Sequence, residues 1–225
     1  GVSGTGNSES PNGAQRKDGM GGSPDLLCRR RRRRGRERNW NRGKNMENAI
    51  EIKGLTKFYG KHRGVTDINL EVKKGDIFGF LGPNWAGKST TIPSMLGLLR
   101  YQKGEVRLLG MDAVKQRKEV LRQIGYMPSE AMFYPGMKVK DVIAFAAKAR
   151  DVDCGREAER ISSLLEVDGG KKIEELSLGN RKKVSIVCAM QHKPGLLILD
   201  EPTSGLDPLM QEAFFKLLLE YNSQG

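Results

Sequence analysis

The stretch Gly82-Pro83-Asn84-Trp85-Ala86-Gly87-Lys88-Ser89 decides the fold. It fits the pattern G-x-x-x-x-G-K-[ST] and sits where that pattern has meaning, after a short apolar run, Ile77-Phe78-Gly79-Phe80-Leu81, and before a helical pattern over 88–99. A strand that ends in such a loop and opens a helix is a phosphate cradle. Backbone N–H groups of the turn and the positive end of the helix dipole favour the β- and γ-phosphates of a nucleotide. Lys88 adds a mobile point charge, and Ser89 a hydroxyl for Mg²⁺. A glycine loop with no such role rarely places Lys-Ser at this point.

A phosphate cradle needs an acidic partner for the metal, and Leu196-Leu197-Ile198-Leu199-Asp200-Glu201 supplies one. Four apolar residues predict a buried strand that delivers two carboxylates at its C-terminal end, where open α/β sheets bind ligands. Asp200 is then the metal ligand. Glu201 is the general base that orients or deprotonates the attacking water. An Asp-Glu pair after a strand is by itself an ordinary polar strand end, and its pairing with the loop at 82–89 makes it specific.

Around these two anchors the chain reads as α/β from Ile50 onward. Ile68, Leu70 and Val72 alternate before a Lys74-Gly75 turn, and 106–109 reads as a strand. Helical patterns cover 114–123, 139–149, 157–166, 178–191 and 209–222. Strands feeding helices through short loops predict a mostly parallel sheet.

Residues 1–45 are different in kind, being rich in Gly, Ser, Asn and Arg. They hold 12 Lys/Arg against 4 Asp/Glu, a net +8, which leaves only +4 of the overall +12 for 46–225. Such a segment buries too little surface to offset its ordering entropy, and we read it as a disordered tail. The run Arg29 to Arg34 admits a nucleic-acid patch, but runs of this kind are more often simply solvated, with only Trp40 nearby to stack on a base. A further reading places the natural start at Met46 and makes the tail translated leader sequence. The domain boundary is drawn at 46.

Several classes drop out on composition. No stretch reaches the roughly 20 apolar residues that a membrane-spanning helix requires, and the mean hydropathy is −0.53. Cys28, Cys154 and Cys188 are distant from one another and from His62 and His192, so neither a disulfide framework nor a zinc site is indicated. Both histidines read as surface residues.

Further motifs carry a family resemblance. Glu201-Pro202-Thr203-Ser204-Gly205-Leu206-Asp207-Pro208 resembles the Walker B and D-loop sequence of ATP-binding cassette (ABC) ATPases, and Leu176-Ser177-Leu178-Gly179-Asn180 lies where their signature motif belongs. Tyr59, in Lys57-Phe58-Tyr59-Gly60, matches the aromatic residue that stacks on adenine. The resemblance spans about 50–215. It implies a P-loop NTPase fold with an antiparallel β edge subdomain and a helical signature subdomain. It also implies ATP and Mg²⁺ as cofactors, with ATP held by Tyr59, 82–89 and Thr90.

The resemblance further implies a head-to-tail dimer with a second ABC ATPase domain. ATP in one protomer is closed over by the signature 177–180 of the other, and Asp207 touches the partner. Ser177 reads independently as a helix N-cap. A separate transmembrane permease subunit is driven by closure, with the chain peripheral on the cytoplasmic face of the membrane and no specific nucleic acid expected. The segment Ile124 to Glu130 and the Ser-Leu-Gly-Asn signature look most like exporters of drugs, peptides or lantibiotics.

Departures from the family pattern are concrete. Trp85 stands where the family usually has Gly, Pro93 falls inside the helix after the loop, and Leu178 and Asn180 replace commoner Gly and Gln. Ser129, followed by Glu130, takes the place of the family's usual glutamine, and the resemblance implies that the Ser129 hydroxyl or Glu130 contacts Mg²⁺ through water. The switch histidine that follows a further strand in the family lies beyond Gly225, so the chain reads as truncated. Two alternatives to a transporter subunit stand beside it, a soluble ABC ATPase acting on ribosomes or nucleic acid and a fragment without turnover.

Overall fold

The computed structural model describes residues 48–60, 62–81 and 87–224. The tail 1–45 and the loop residues Gly82, Pro83, Asn84, Trp85 and Ala86 therefore lie outside the described residues, as does the expectation attached to each.

Two sheets organise the described chain. The first is antiparallel, in the order β2 (His62–Lys73), β1 (Asn48–Tyr59), β3 (Lys103–Leu108), β4 (Met111–Asp112). The alternation seen in the sequence sets its register, with Ile50 opposite Val72, Ile52 opposite Leu70 and Leu55 opposite Ile68. The buried residues of β1 and β3 form one apolar cluster with Ile92, Met95 and Leu96, from α1 (Lys88–Met95) and its end. This is the antiparallel edge subdomain expected from the resemblance.

The second sheet is a parallel pair, β5 (Ile124–Met127) and β6 (Leu196–Leu199), aligned Ile124 to Leu196 through Met127 to Leu199. Parallel strands require a long crossover, and here it carries α3 (Val139–Lys148), α4 (Gly155–Leu164) and α5 (Leu178–Met190). These helices and α6 (Pro208–Ser223) bury Ile161, Leu165, Ile186, Met190, Phe214 and Leu217 in a second cluster under β5. That cluster is the core of the helical signature subdomain. The remaining helix, α2 (Arg117–Gln123), leads directly into β5.

The parallel sheet is narrower than the sequence predicts. Residues 77–81 join no strand ladder, and Ile77 and Leu81 are 67% and 58% exposed. Phe78, Phe80 and Leu81 share the lining of a cavity of about 350 Å³ with Leu197 and Leu199 of β6.

Boundaries elsewhere shift by a few residues. α1 stops at Met95 rather than continuing to Leu99, and Pro93 lies inside it as anticipated. A proline there removes the N–H that would close on the carbonyl four residues earlier. The Pro93 carbonyl instead accepts from Leu98 and Leu99, turning the chain out of the helix.

Candidate functional site

The site is assembled from the ends of elements. α1 begins at Gly87, whose φ of 86° is left-handed and suits glycine, and a Cβ there would run into the Val65 side chain. The Gly87 carbonyl accepts from Thr90 N (3.0 Å) and Thr91 N (2.7 Å), which closes the first turn. No acidic residue lies in that turn, so nothing on the helix itself neutralises the positive end of its dipole. Lys88 and Ser89 open the helix.

Asp200 and Glu201 leave the C-terminal end of β6 as the sequence predicts. Asp200 N donates to Met127 O at 2.9 Å, which extends the β5–β6 ladder by one step and fixes where the carboxylates emerge. Glu201 has a φ of 47°, left-handed backbone that a non-glycine residue adopts at a cost of order 1–3 kcal/mol. It turns the chain at once into 202–206, where Ser204 N donates to Glu201 O.

Lys88, Asp200, Glu201 and Pro202 line the same cavity of about 350 Å³ as 80–81 and β6. Three of the residues singled out in the sequence, more than a hundred positions apart, thus meet around one hollow. Tyr59 is 46% exposed at the end of β1, its hydroxyl 3.3 Å from Thr90 Oγ1 and the Lys57 ammonium 5.1 Å from its ring centroid. The aromatic residue assigned to adenine therefore stands beside the helix assigned to phosphate.

The signature residues are grouped elsewhere. Ser177 caps α5 as expected, its hydroxyl accepting from Asn180 N at 3.3 Å. Leu178 is 64% exposed, and Ser177 and Asn180 are exposed too. Gly179 packs so closely on Gly205 that a Cβ would strike the Gly205 carbonyl. The D-loop residue Asp207 caps α6, accepting from Met210 N at 3.0 Å, with Pro208 in the first helical position. The signature and D-loop so form one exposed surface, which shares no lining residue with the Lys88–Glu201 cavity.

The profile of the ABC transporter family matches residues 65–204, well over half of the chain. The chain belongs to the ABC transporter ATP-binding family. It is 38% identical over 169 residues to the bacitracin transport ATP-binding protein BcrA of Bacillus licheniformis, covering 73% of this chain and 54% of the relative. It is 34% identical over 181 residues to the linearmycin resistance ATP-binding protein LnrL of Bacillus subtilis, covering 78% of this chain and 58% of the relative. The chain thus spans a little over half the length of these curated relatives. Among solved structures, the ATP-binding subunit of an ABC transporter aligns with a TM-score of 0.70 at 30% identity, over 79% of this chain and 76% of that one. The α/β P-loop architecture inferred from 82–89 is therefore that of an ABC ATP-binding domain.

Among the described residues no cluster of three or more His, Cys, Asp or Glu exists that would hold a metal unaided. Mg²⁺ keeps water and substrate phosphates in its shell and takes only one or two oxygen donors from protein. The Ser89 hydroxyl and the Asp200 carboxylate are hard oxygen donors of that kind.

One placement differs from the sequence reading and another was missed by it. His192 is half-buried rather than on the surface: its Nε2 lies 3.1 Å from Ile124 O, and burial, with Arg150 nearby, holds its pKa down to about 4. Ser129, proposed for its hydroxyl, is exposed just past β5, and its carbonyl accepts from Lys182 Nζ at 2.6 Å. Lys182 was missed because Arg181-Lys182-Lys183 reads as a solvated basic run. The signal was available, since Lys182 shares a helical face with Ile186 and Ala189, both buried.

Proposed function

We propose that this chain binds ATP with Mg²⁺ and hydrolyses it to ADP and phosphate, as the motor subunit of an export-type ABC transporter whose membrane-spanning permease is a separate chain. One observation carries the reading: Lys88 at the start of α1 and Asp200 and Glu201 at the end of β6 line one cavity. The positive end of α1 and the Lys88 ammonium hold the phosphates, and Ser89 and Asp200 are the residues that would hold Mg²⁺, which offsets phosphate charge. Glu201 orients and deprotonates the water that attacks the γ-phosphate. Tyr59 provides an aromatic face for the adenine.

The exposed position of 177–180 and Asp207 supports a head-to-tail dimer in which each signature completes the partner's site. The Ser177 hydroxyl and the amides at the start of α5 then meet the γ-phosphate from the opposite side. A second exposed surface supports the permease. Met132 and Tyr134 are 91% and 70% exposed, and Tyr134 packs edge-on against Phe145, itself 56% exposed. Contiguous exposed apolar groups of this kind mark a contact with another chain, and no helix among the described residues is long and apolar enough to cross a membrane. Export of drugs or peptides is favoured by the printed roles of BcrA and LnrL.

Steady-state phosphate release by the full chain with Mg-ATP tests the reading. Turnover that Glu201→Gln abolishes supports it. A folded chain without turnover at any protein concentration refutes the motor role for this sequence.

A further inference from the structure

We propose that Lys182 is a positioning residue of this site: from α5 its ammonium holds the Ser129 carbonyl and so fixes the segment after β5 beside the Asp200–Glu201 strand end. The inference rests on the ATPase reading above and adds a residue to it.

The argument begins with burial. Lys182 is 3% exposed, and lysines are almost never that buried unless paired. Its one described hydrogen bond goes to a main-chain carbonyl, Ser129 O at 2.6 Å, which satisfies a donor without cancelling a charge. Desolvation pushes the ammonium's pKa down, and the nearby charges of Glu201 and Asp200 oppose that shift. A methionine of similar length would fill the space without desolvating a charge, so the lysine costs stability that packing does not require.

Geometry gives the cost a use. Met127 pairs with Leu199 at the last step of the parallel ladder, so the segment from Pro128 and the segment from Asp200 leave the sheet side by side. The first of these has no ladder to hold it beyond the Asp200 N to Met127 O bond, and Ser129 and Glu130 are exposed. Lys182 supplies a tether at that point. Lys182 also lies five residues from Ser177, the cap of the same helix. One rigid element therefore carries both the exposed signature and the tether, and a contact made at the start of α5 reaches the segment facing the carboxylates through Lys182.

The test uses Lys182→Met and Lys182→Arg in the full chain, with two readouts. The first is cleavage after Glu130 by a glutamyl endopeptidase, measured relative to cleavage after the exposed Glu166 at the end of α4. A hydrogen bond to a charged group held closed predicts about tenfold faster cleavage after Glu130 in the Met variant and near-parental cleavage in the Arg variant. The second is ATP turnover, for which the Met variant loses about tenfold in kcat with KM for ATP little changed, and Arg restores part of it. A merely structural lysine would instead lower the thermal midpoint and speed cleavage at both sites together. Parental Glu130 cleavage in the Met variant overturns the tether, and faster cleavage with unchanged kcat overturns its role in the reaction. If Lys182→Met does not fold, Lys182→Leu, which also removes the donor, is read in the same way. A parent chain that folds without turnover refutes the ATPase reading, and the Glu130 cleavage ratio then decides the tether alone.

Discussion

The strand-end site and the helix-start site are built in opposite ways. Lys88, Asp200 and Glu201 surround a hollow, so a ligand there is enclosed by groups of one chain. Ser177, Leu178 and Asn180 stand exposed at the start of α5, where Gly179 packs on Gly205, and none of them lines that hollow. A hollow lined by Lys88, Asp200 and Glu201 and an exposed helix start that offers a hydroxyl and amides are the two halves that the proposed dimer would join. On the proposed reading, binding belongs to one chain, whereas turnover requires two.

That comparison can be broken by separating binding from turnover. Glu201→Gln is expected to have the largest effect, lowering phosphate release by about 10²–10⁴-fold while leaving ATP affinity near parental, because a general base acts in the transition state. Equal loss of binding and turnover, measured by calorimetry beside a phosphate-release assay, would move Glu201 from catalysis to binding. Ser177→Ala should reduce turnover by about tenfold, the worth of a charge-assisted hydrogen bond, and leave ATP binding to the monomer unchanged. The same change removes the cap of α5 and should cost about 1 kcal/mol of stability, visible as a lower denaturation midpoint. If Ser177→Ala weakens ATP binding in a dilute monomer, the two half-sites do not lie on different chains.

Gly179→Ala sharpens the comparison from behind the signature. Its new methyl group meets the Gly205 carbonyl, so it should destabilise the chain by about 1–3 kcal/mol in thermal denaturation, with nucleotide binding retained. Tyr59→Ala should show the smallest effect. Loss of an aromatic face for adenine weakens ATP by about 1–3 kcal/mol and leaves the maximal rate unchanged, read as a KM shift without a kcat shift.

Where the sequence carried information locally, it was legible. β6 is bounded as Leu196–Leu199 because four apolar residues lie between a Pro-Gly turn and two carboxylates, and α5 begins one residue after the serine that caps it. What the chain decides at long range was not legible. Residues 77–81 have the composition of a strand, yet a strand exists only with a neighbour, and 77–81 join no ladder. His192 and Lys182 failed for a related reason. Polarity and a run of basic neighbours suggest solvent, while the fold brings His192, just past α5, to Ile124 O of β5 and Lys182 to Ser129 O just beyond it. The residues proposed for the site are spaced along the chain in recognisable motifs, whereas their supports have no motif.

The most direct test of the central claim is calorimetric titration of Mg-ATP into the full chain beside Lys88→Ala, with Trp85→Gly as a companion. The account predicts saturable binding with one ATP per chain, weakened at least about tenfold by Lys88→Ala. Trp85→Gly should bind at least as tightly as the parent, since the glycine places no side chain against the phosphates. Equal binding by the parent and Lys88→Ala, or no binding by any of the three while all are folded, would contradict it.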